Sequence, residues 1–249
     1  MEVIFKTLVG SKLYGLATEN SDTDYKGVFM APAENAIPTL EQTLGLKPFK
    51  EIERFEPPVT GTGKDKVEAV YFSARYFIKL YLKGNPTLAE IPFAGDQFVE
   101  ATDMGRELMK FVREHMVTRH LFGGYYGYYT DQVKGFTTGR GVCREKRNEL
   151  IEKYGYDTKM GSHAYRIGVQ GVDLFKKGFI NPTLEGEQLE TARKIKEGGH
   201  YDREWLIATV EDLSKQLKEA ERTSPLPEAP DFDKVHGFIL DFNRRYYGV

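Results

Sequence analysis

The spacing of apolar residues changes period once along this chain. Val3 to Val9 reads as a first strand, and Asp24 to Met30, with Val28 among aromatic neighbours, as a second. Residues 12–17 suit a short helix between them. Lys66-Val67-Glu68-Ala69-Val70-Tyr71 alternates polar and apolar side chains and predicts a third strand. Before it comes a long connection, residues 31–66, punctuated by Pro32, Pro38, Pro48, Pro57, Pro58, Gly61 and Gly63. This composition predicts a mobile segment with a short helix near Leu40.

From Phe72 onward the period is helical. Val70, Ala74, Phe77 and Tyr81 carry a buried stripe into a helix over Phe72–Lys83, which Gly84-Asn85-Pro86 ends. Met104, Leu108, Phe111, Val112 and His115 mark a second helix, capped by Thr102 or Asp103. Ala164, Ile167, Gly171, Leu174 and Phe175 mark a third, whose small residues allow close packing. Leu206, Val210, Leu213, Leu217 and Ala220 mark a fourth. A proline-rich linker over 224–230 precedes a last helix over 232–247. The economical architecture is α+β: a small mixed sheet with flanking helices over residues 1–100, then an all-helical domain over 101–249.

Composition narrows the setting. A chain of 249 residues can bury one large core or two small ones. Its single cysteine, Cys143, excludes an internal disulfide and a cysteine-based zinc cluster. The sequence holds no run of membrane-span length and no signal-peptide layout at Met1–Lys6, so the expectation is a cytoplasmic protein without a membrane partner. A formal net charge of −2 gives no global attraction to nucleic acid, and any such binding needs a local patch.

The candidate chemistry lies at the ends of the predicted strands. Gly10-Ser11 follows the first strand, where a turn can aim backbone amides and a hydroxyl at anionic oxygens. Asp22 and Asp24 open the second strand two residues apart and leave it in the same direction. Paired hard oxygen ligands suit Mg²⁺, or Mn²⁺, held together with the phosphates of a nucleoside triphosphate. A two-cation site needs a third acid, for which Glu68 on the third strand is the best placed. Asp65, behind a flexible Gly-Thr-Gly-Lys lead-in, is a poorer choice. A solvent-facing glutamate on an edge strand is the plain alternative for Glu68.

Arg75, Lys79 and Lys83 recur every four residues and share a helix face, which fits either a triphosphate contact or a solvated stripe. His163, Arg166, Gln170 and Asp173 share the polar face of a later helix. They suit closure over a nucleotide, although a lone His-x-x-Arg is commonly a surface pair. The aromatic run Phe122–Tyr129 fits packing between helices better than base stacking.

Gly10-Ser11 followed by Asp22-Thr23-Asp24 resembles the signature of the DNA polymerase beta-like nucleotidyltransferases. Three longer segments resemble one branch, the RNA-repair-associated (RlaP-like) nucleotidyltransferases. They are Gly10–Leu16 with Asn20–Val28, Lys83-Gly84-Asn85-Pro86-Thr87-Leu88-Ala89-Glu90, and Ser162-His163-Ala164-Tyr165-Arg166. The resemblance runs over about residues 3–220. It implies a short mixed sheet with a helical domain walling a cleft, and Mg²⁺-dependent transfer of a nucleoside monophosphate with release of pyrophosphate. Asp22, Asp24 and Glu68 become the catalytic and metal-binding candidates. Gly10, Ser11, Tyr14, Gly15, Lys79, Lys83, Asn85, Lys159, His163 and Arg166 become the nucleotide-binding candidates. Two departures stand out: a glutamate at position 68 where an aspartate is commoner, and the long 31–66 insertion. The acceptor stays open between RNA or tRNA, a protein or small molecule modified in antitoxin fashion, and a binding module without catalysis.

Overall fold

The computed structural model describes residues 1–37, 40–47, 51–138 and 145–248, so Pro38, Pro48 and Cys143 lie outside the described residues. β1 (Glu2–Val9) runs into α1 (Gly10–Leu13) and returns as β2 (Thr23–Met30), antiparallel to β1. Two single turns follow, α2 (Ala33–Ala36) and α3 (Leu40–Thr43), then the short β3 (Arg54–Phe55) and β4 (Val67–Ser73). β4 lies parallel to β2, and this pairing sets Asp24 beside Glu68. α4 (Ala74–Leu82) and α5 (Pro86–Ala89) lead to β5 (Val99–Ala101), which pairs with the other edge of β1. The sheet is open and mixed, in the order β3-β4-β2-β1-β5.

The rest of the described chain is helical: α6 (Asp103–His115), α7 (Phe122–Thr138), α8 (Glu145–Tyr154), α9 (Thr158–Lys177), α10 (Gly186–Glu197), α11 (Arg203–Arg222) and α12 (Phe232–Tyr247). α9 is central, with α7, α10 and α11 packed around it. Gly171 shows why its small residues matter. A Cβ there would sit 2.5 Å from the Tyr125 ring and 2.9 Å from Leu217, so the glycine sets the approach of α7 and α11. The predicted stripe Leu206, Val210, Leu213, Leu217 and Ala220 is buried throughout. One apolar core runs from Ile4 on β1 through α9 to Phe242 on α12. α12 returns to the sheet side, where Phe238 stacks on Phe111 at 3.8 Å and the Tyr247 hydroxyl donates to the Ala31 carbonyl at 2.7 Å. Among the described residues no helix is long and apolar enough to cross a membrane.

The architecture is the α+β arrangement expected from the sequence, with local differences that have physical causes. The helix expected over 12–17 spans Gly10–Leu13 instead, because Gly15 turns the chain out at φ 75°. α4 starts at Ala74, two residues late: the Ser73 hydroxyl accepts from the Tyr76 amide, so β4 extends to this cap. Asn85 does more than end α4, since its side chain caps α5 by accepting from the Thr87 amide at 3.0 Å. Within the long connection of residues 31–66, residues 53–60 lie along the outer edge of β4. The Ser73 amide donates to the Glu53 carbonyl, and Thr60 bridges to Val67.

Candidate functional site

Parallel register builds the first part of the site. Asp24 and Glu68 are direct partners on β2 and β4, and Asp22 lies two residues before Asp24 on the same side. Ligand oxygens of all three carboxylates come within 4.8 Å of one another, and all three residues are half-buried. Partial burial, then the charges of Asp22 and Glu68, hold the Asp24 carboxyl above the usual carboxylate range. One cation is already near: the Lys66 ammonium lies 2.5 Å from Glu68 Oε1. That pair is open to solvent, which screens it, so it yields readily to a stronger ligand. A set of three carboxylates, with no imidazole or thiolate, suits a hard divalent cation such as Mg²⁺ or Mn²⁺.

Gly10 explains how the turn fits so closely. Its φ is 70°, and a Cβ at this position would lie 2.6 Å from Asp24 Oδ2. Only glycine meets both demands, so the start of α1 presses directly on the carboxylate cluster. Ser11, one residue on, faces a cavity of about 590 Å³ whose wall also includes Asp22, Asp24, Lys159 and Lys196. Burial, then the neighbouring charge of Lys159, holds the Lys196 ammonium below the usual lysine range. Lys196 donates to the Leu16 carbonyl at 2.6 Å, and Arg193 Nη2 donates to the Gly15 carbonyl at 2.8 Å. α10 thus grips the loop that carries the Gly-Ser turn.

The floor of the cavity is a buried polar network. Arg166 is 1% exposed and Glu90 is 1% exposed. Arg166 Nη1 donates to Glu90 Oε2 at 2.7 Å and to Gln170 Oε1 at 2.6 Å, and its guanidinium stacks on the Tyr14 ring at 3.6 Å. The Tyr14 hydroxyl donates to Glu90 Oε1 at 2.7 Å, and burial pushes that phenol far above its ordinary range. Arg166 Nη2 lies 3.2 Å from His163 Nδ1. Arginine can only donate, so His163 Nδ1 is the acceptor and the ring proton is assigned to Nε2, facing the Tyr128 hydroxyl at 3.3 Å. Burial, then the charge of Arg166, lowers the imidazole to about 3, so it is neutral at physiological pH. Lys26 lies beside this network and donates to the Thr87 carbonyl at 3.0 Å; burial lowers it to about 8.

Most of the candidates named from the sequence meet here. Ser11, Tyr14, Asp22, Asp24, Lys159, His163 and Arg166 line the cavity, Glu68 joins the carboxylate cluster, and Gly10 and Gly15 shape the turn. Lys79, Lys83 and Asn85 are not brought to it. Lys79 instead pairs with Glu53 at 3.2 Å, and Arg75 lies 3.6 Å from Glu51, so this stripe faces the connection beside β4. Lys83 caps the end of α4, and Asn85 caps α5. The polar face of α9 also differs from expectation, since Arg166 and Gln170 are buried partners within the protein. Lys196 and Tyr128 escaped the sequence reading: Arg193-Lys194-Ile195-Lys196 reads as an exposed helix, and Tyr128 as packing. Glu90 was visible only as part of a motif.

The family model described as "RNA repair pathway DNA polymerase beta family" matches residues 1–241. The chain belongs to the RlaP family. A curated relative, the "Uncharacterized 38.9 kDa protein in nrdC-mobD intergenic region" of Enterobacteria phage T4, is 24% identical over 138 residues. The match covers 55% of this chain and 39% of the phage protein, so it spans about two fifths of that relative's length. RlaP membership carries a nucleotidyltransferase type of function at the level of the family. The RlaP motifs quoted from the sequence supply Tyr14, Glu90, His163 and Arg166, which are far apart in the chain and linked by hydrogen bonds in the fold.

Proposed function

We propose that this chain is a nucleotidyltransferase dependent on a divalent cation. It moves a nucleoside monophosphate from a nucleoside triphosphate to a hydroxyl on an RNA end and releases pyrophosphate. The observation that carries this reading is the cluster of Asp22, Asp24 and Glu68, two of which line a cavity that Lys159 and Lys196 line as well. Membership of a family described by RNA repair favours RNA as the acceptor.

Asp22, Asp24 and Glu68 would hold the cation. When bound, it neutralises phosphate charge and lowers the pKa of the acceptor hydroxyl. The protein's own groups contribute position and charge. Ser11, after the tight turn at Gly10, would orient the phosphate chain, and Lys159 and Lys196, which line the same cavity, would offset its negative charge. In the transfer, the acceptor oxygen bonds to the α-phosphorus while the bond from that phosphorus to the α,β-bridging oxygen breaks. Pyrophosphate takes the released electron pair, and the hydroxyl proton passes to a carboxylate of the cluster. His163, neutral and fixed between Arg166 and Tyr128, shapes the floor without adding charge.

A label-transfer assay tests the reading. Purified protein with Mg²⁺ or Mn²⁺ and each α-labelled nucleoside triphosphate is offered RNA, lysate protein or no acceptor. Label on RNA that disappears in an Asp22→Ala/Asp24→Ala variant supports the proposal. Label on a protein band instead moves the acceptor to protein, and no label with any acceptor sinks the transferase reading.

A further inference from the structure

Glu90 does not line the cavity, yet it joins two walls of it. Each of its oxygens has a separate duty: Oε1 accepts from Tyr14 in the Gly-Ser turn, and Oε2 accepts from Arg166 on α9. From Arg166 the chain of contacts continues to Gln170, whose amide nitrogen donates to the Asn181 and Pro182 carbonyls at 3.1 Å each. The same loop then returns to the turn. The Thr183 hydroxyl donates to the Leu13 carbonyl at 2.8 Å, and the Leu184 amide donates to the Tyr14 carbonyl at 3.3 Å. The contacts form a closed ring that grips Tyr14 by both side chain and backbone. Four residues before Tyr14, Gly10 abuts Asp24.

We propose that Glu90 is a positioning residue: by tying Tyr14 to Arg166 it fixes the Gly-Ser turn against both the carboxylate cluster and the helical wall. The role of that turn in holding phosphates rests on the nucleotidyltransferase reading; the fixing itself does not. The burial argument favours such a role over bulk stabilisation. A buried ion pair seldom adds net stability over apolar side chains of the same volume, because both charges lose their hydration. This pair is instead satisfied at both carboxylate oxygens and seated under a ring, and those contacts restrict orientation. Without Glu90, Arg166 would be a buried cation facing the cavity with one anchor lost, and the Tyr14 hydroxyl would lack its acceptor.

Hydrogen exchange read by mass spectrometry on the full chain tests this, comparing wild type with Glu90→Gln. The expected result is exchange in the peptide covering residues 10–16 accelerated at least about tenfold beyond any acceleration in α11, and nucleoside triphosphate binding in Mn²⁺ weakened about tenfold. A uniform rise across α11 and the turn, or no change in the turn, overturns the proposal. Should Glu90→Gln not fold, Tyr14→Phe removes only the hydroxyl contact. It is expected to speed exchange in the turn two- to fivefold, and an unchanged turn there also overturns the proposal. Wild type that binds no nucleotide, with the turn still loosened selectively in the variant, rejects the nucleotidyltransferase reading alone and leaves the positioning role standing.

Discussion

The carboxylates of Asp22, Asp24 and Glu68 and the ion pair between Glu90 and Arg166 each give the same cavity part of its wall, through Asp22 and Asp24 and through Arg166, and they do so under opposite conditions. The first group sets three like charges within 4.8 Å, half open to solvent, with Lys66 as a loose neighbour. The second is sealed, and both Glu90 oxygens are hydrogen-bonded. Like charges held together weaken the empty protein and are tolerated where a cation will join them. A satisfied buried pair needs nothing further and instead holds its neighbours in register. On the proposed reading the frustrated cluster does the chemistry, and the satisfied one keeps the surrounding geometry.

Breaking the first cluster should have the largest effect on function and little on folding. Asp22→Ala or Asp24→Ala is expected to reduce label transfer by at least about a thousandfold, on the order of 4 kcal/mol of transition-state stabilisation. In the absence of divalent cation the melting temperature of Asp24→Ala should match or exceed that of wild type, because repulsion is removed. Near-normal turnover would refute the assignment. Breaking the second cluster should do the reverse: Arg166→Met strands Glu90 and is expected to destabilise by about 3–5 kcal/mol in urea unfolding. A change below about 1 kcal/mol would show that the pair is not sealed as described.

Titration sharpens the same contrast. His163 has its folded-state pKa lowered to about 3, against an ordinary value near 6.5. Below about pH 6.5 the unfolded chain binds a proton at this residue that the folded chain does not. Stability from this group is therefore present above pH 6.5 and lost as the pH falls toward 3, at up to about 1.4 kcal/mol per pH unit. Urea midpoints between pH 4.5 and 7.5 should fall more steeply for wild type than for His163→Gln, and parallel profiles would contradict the buried neutral imidazole. A smaller effect is expected from Gly10→Ala. Its positive φ costs about 1–2 kcal/mol, and its Cβ displaces Asp24, so Mn²⁺ affinity should drop together with stability. Smallest of all is Lys79→Ala. An exposed pair with Glu53 is worth under about 1 kcal/mol, and nucleotide affinity should not move.

These clusters were unequally legible in the sequence. The strand that Asp22 precedes and Asp24 opens announces itself locally, because a period of two and a Gly-Ser turn are both short-range signals. Glu68 followed once a neighbouring strand was assumed, although its parallel pairing with β2 is a tertiary fact. The amphipathic stripes of α6, α9 and α11 were readable for the same reason, since each helix buries one face. The floor of the cavity was not. Periodicity sets Arg166 and Gln170 opposite the apolar face and so suggests solvent, whereas Glu90 and the 181–184 loop cover that face and bury it. Lys79 failed in the other direction. Its spacing was right for a shared helix face, but the face looks toward Glu53. Short-range pattern identifies faces; which neighbour covers them depends on the whole chain.

The most direct measurement of the central claim is Mn²⁺ electron paramagnetic resonance with a non-hydrolysable nucleoside triphosphate analogue. In wild type the free-ion signal should fall as Mn²⁺ is taken up, more strongly with the analogue present, and Asp22→Ala/Asp24→Ala should leave it at the level of buffer. Equal uptake by wild type and variant, or none by either, would contradict a cation and nucleotide site at these carboxylates.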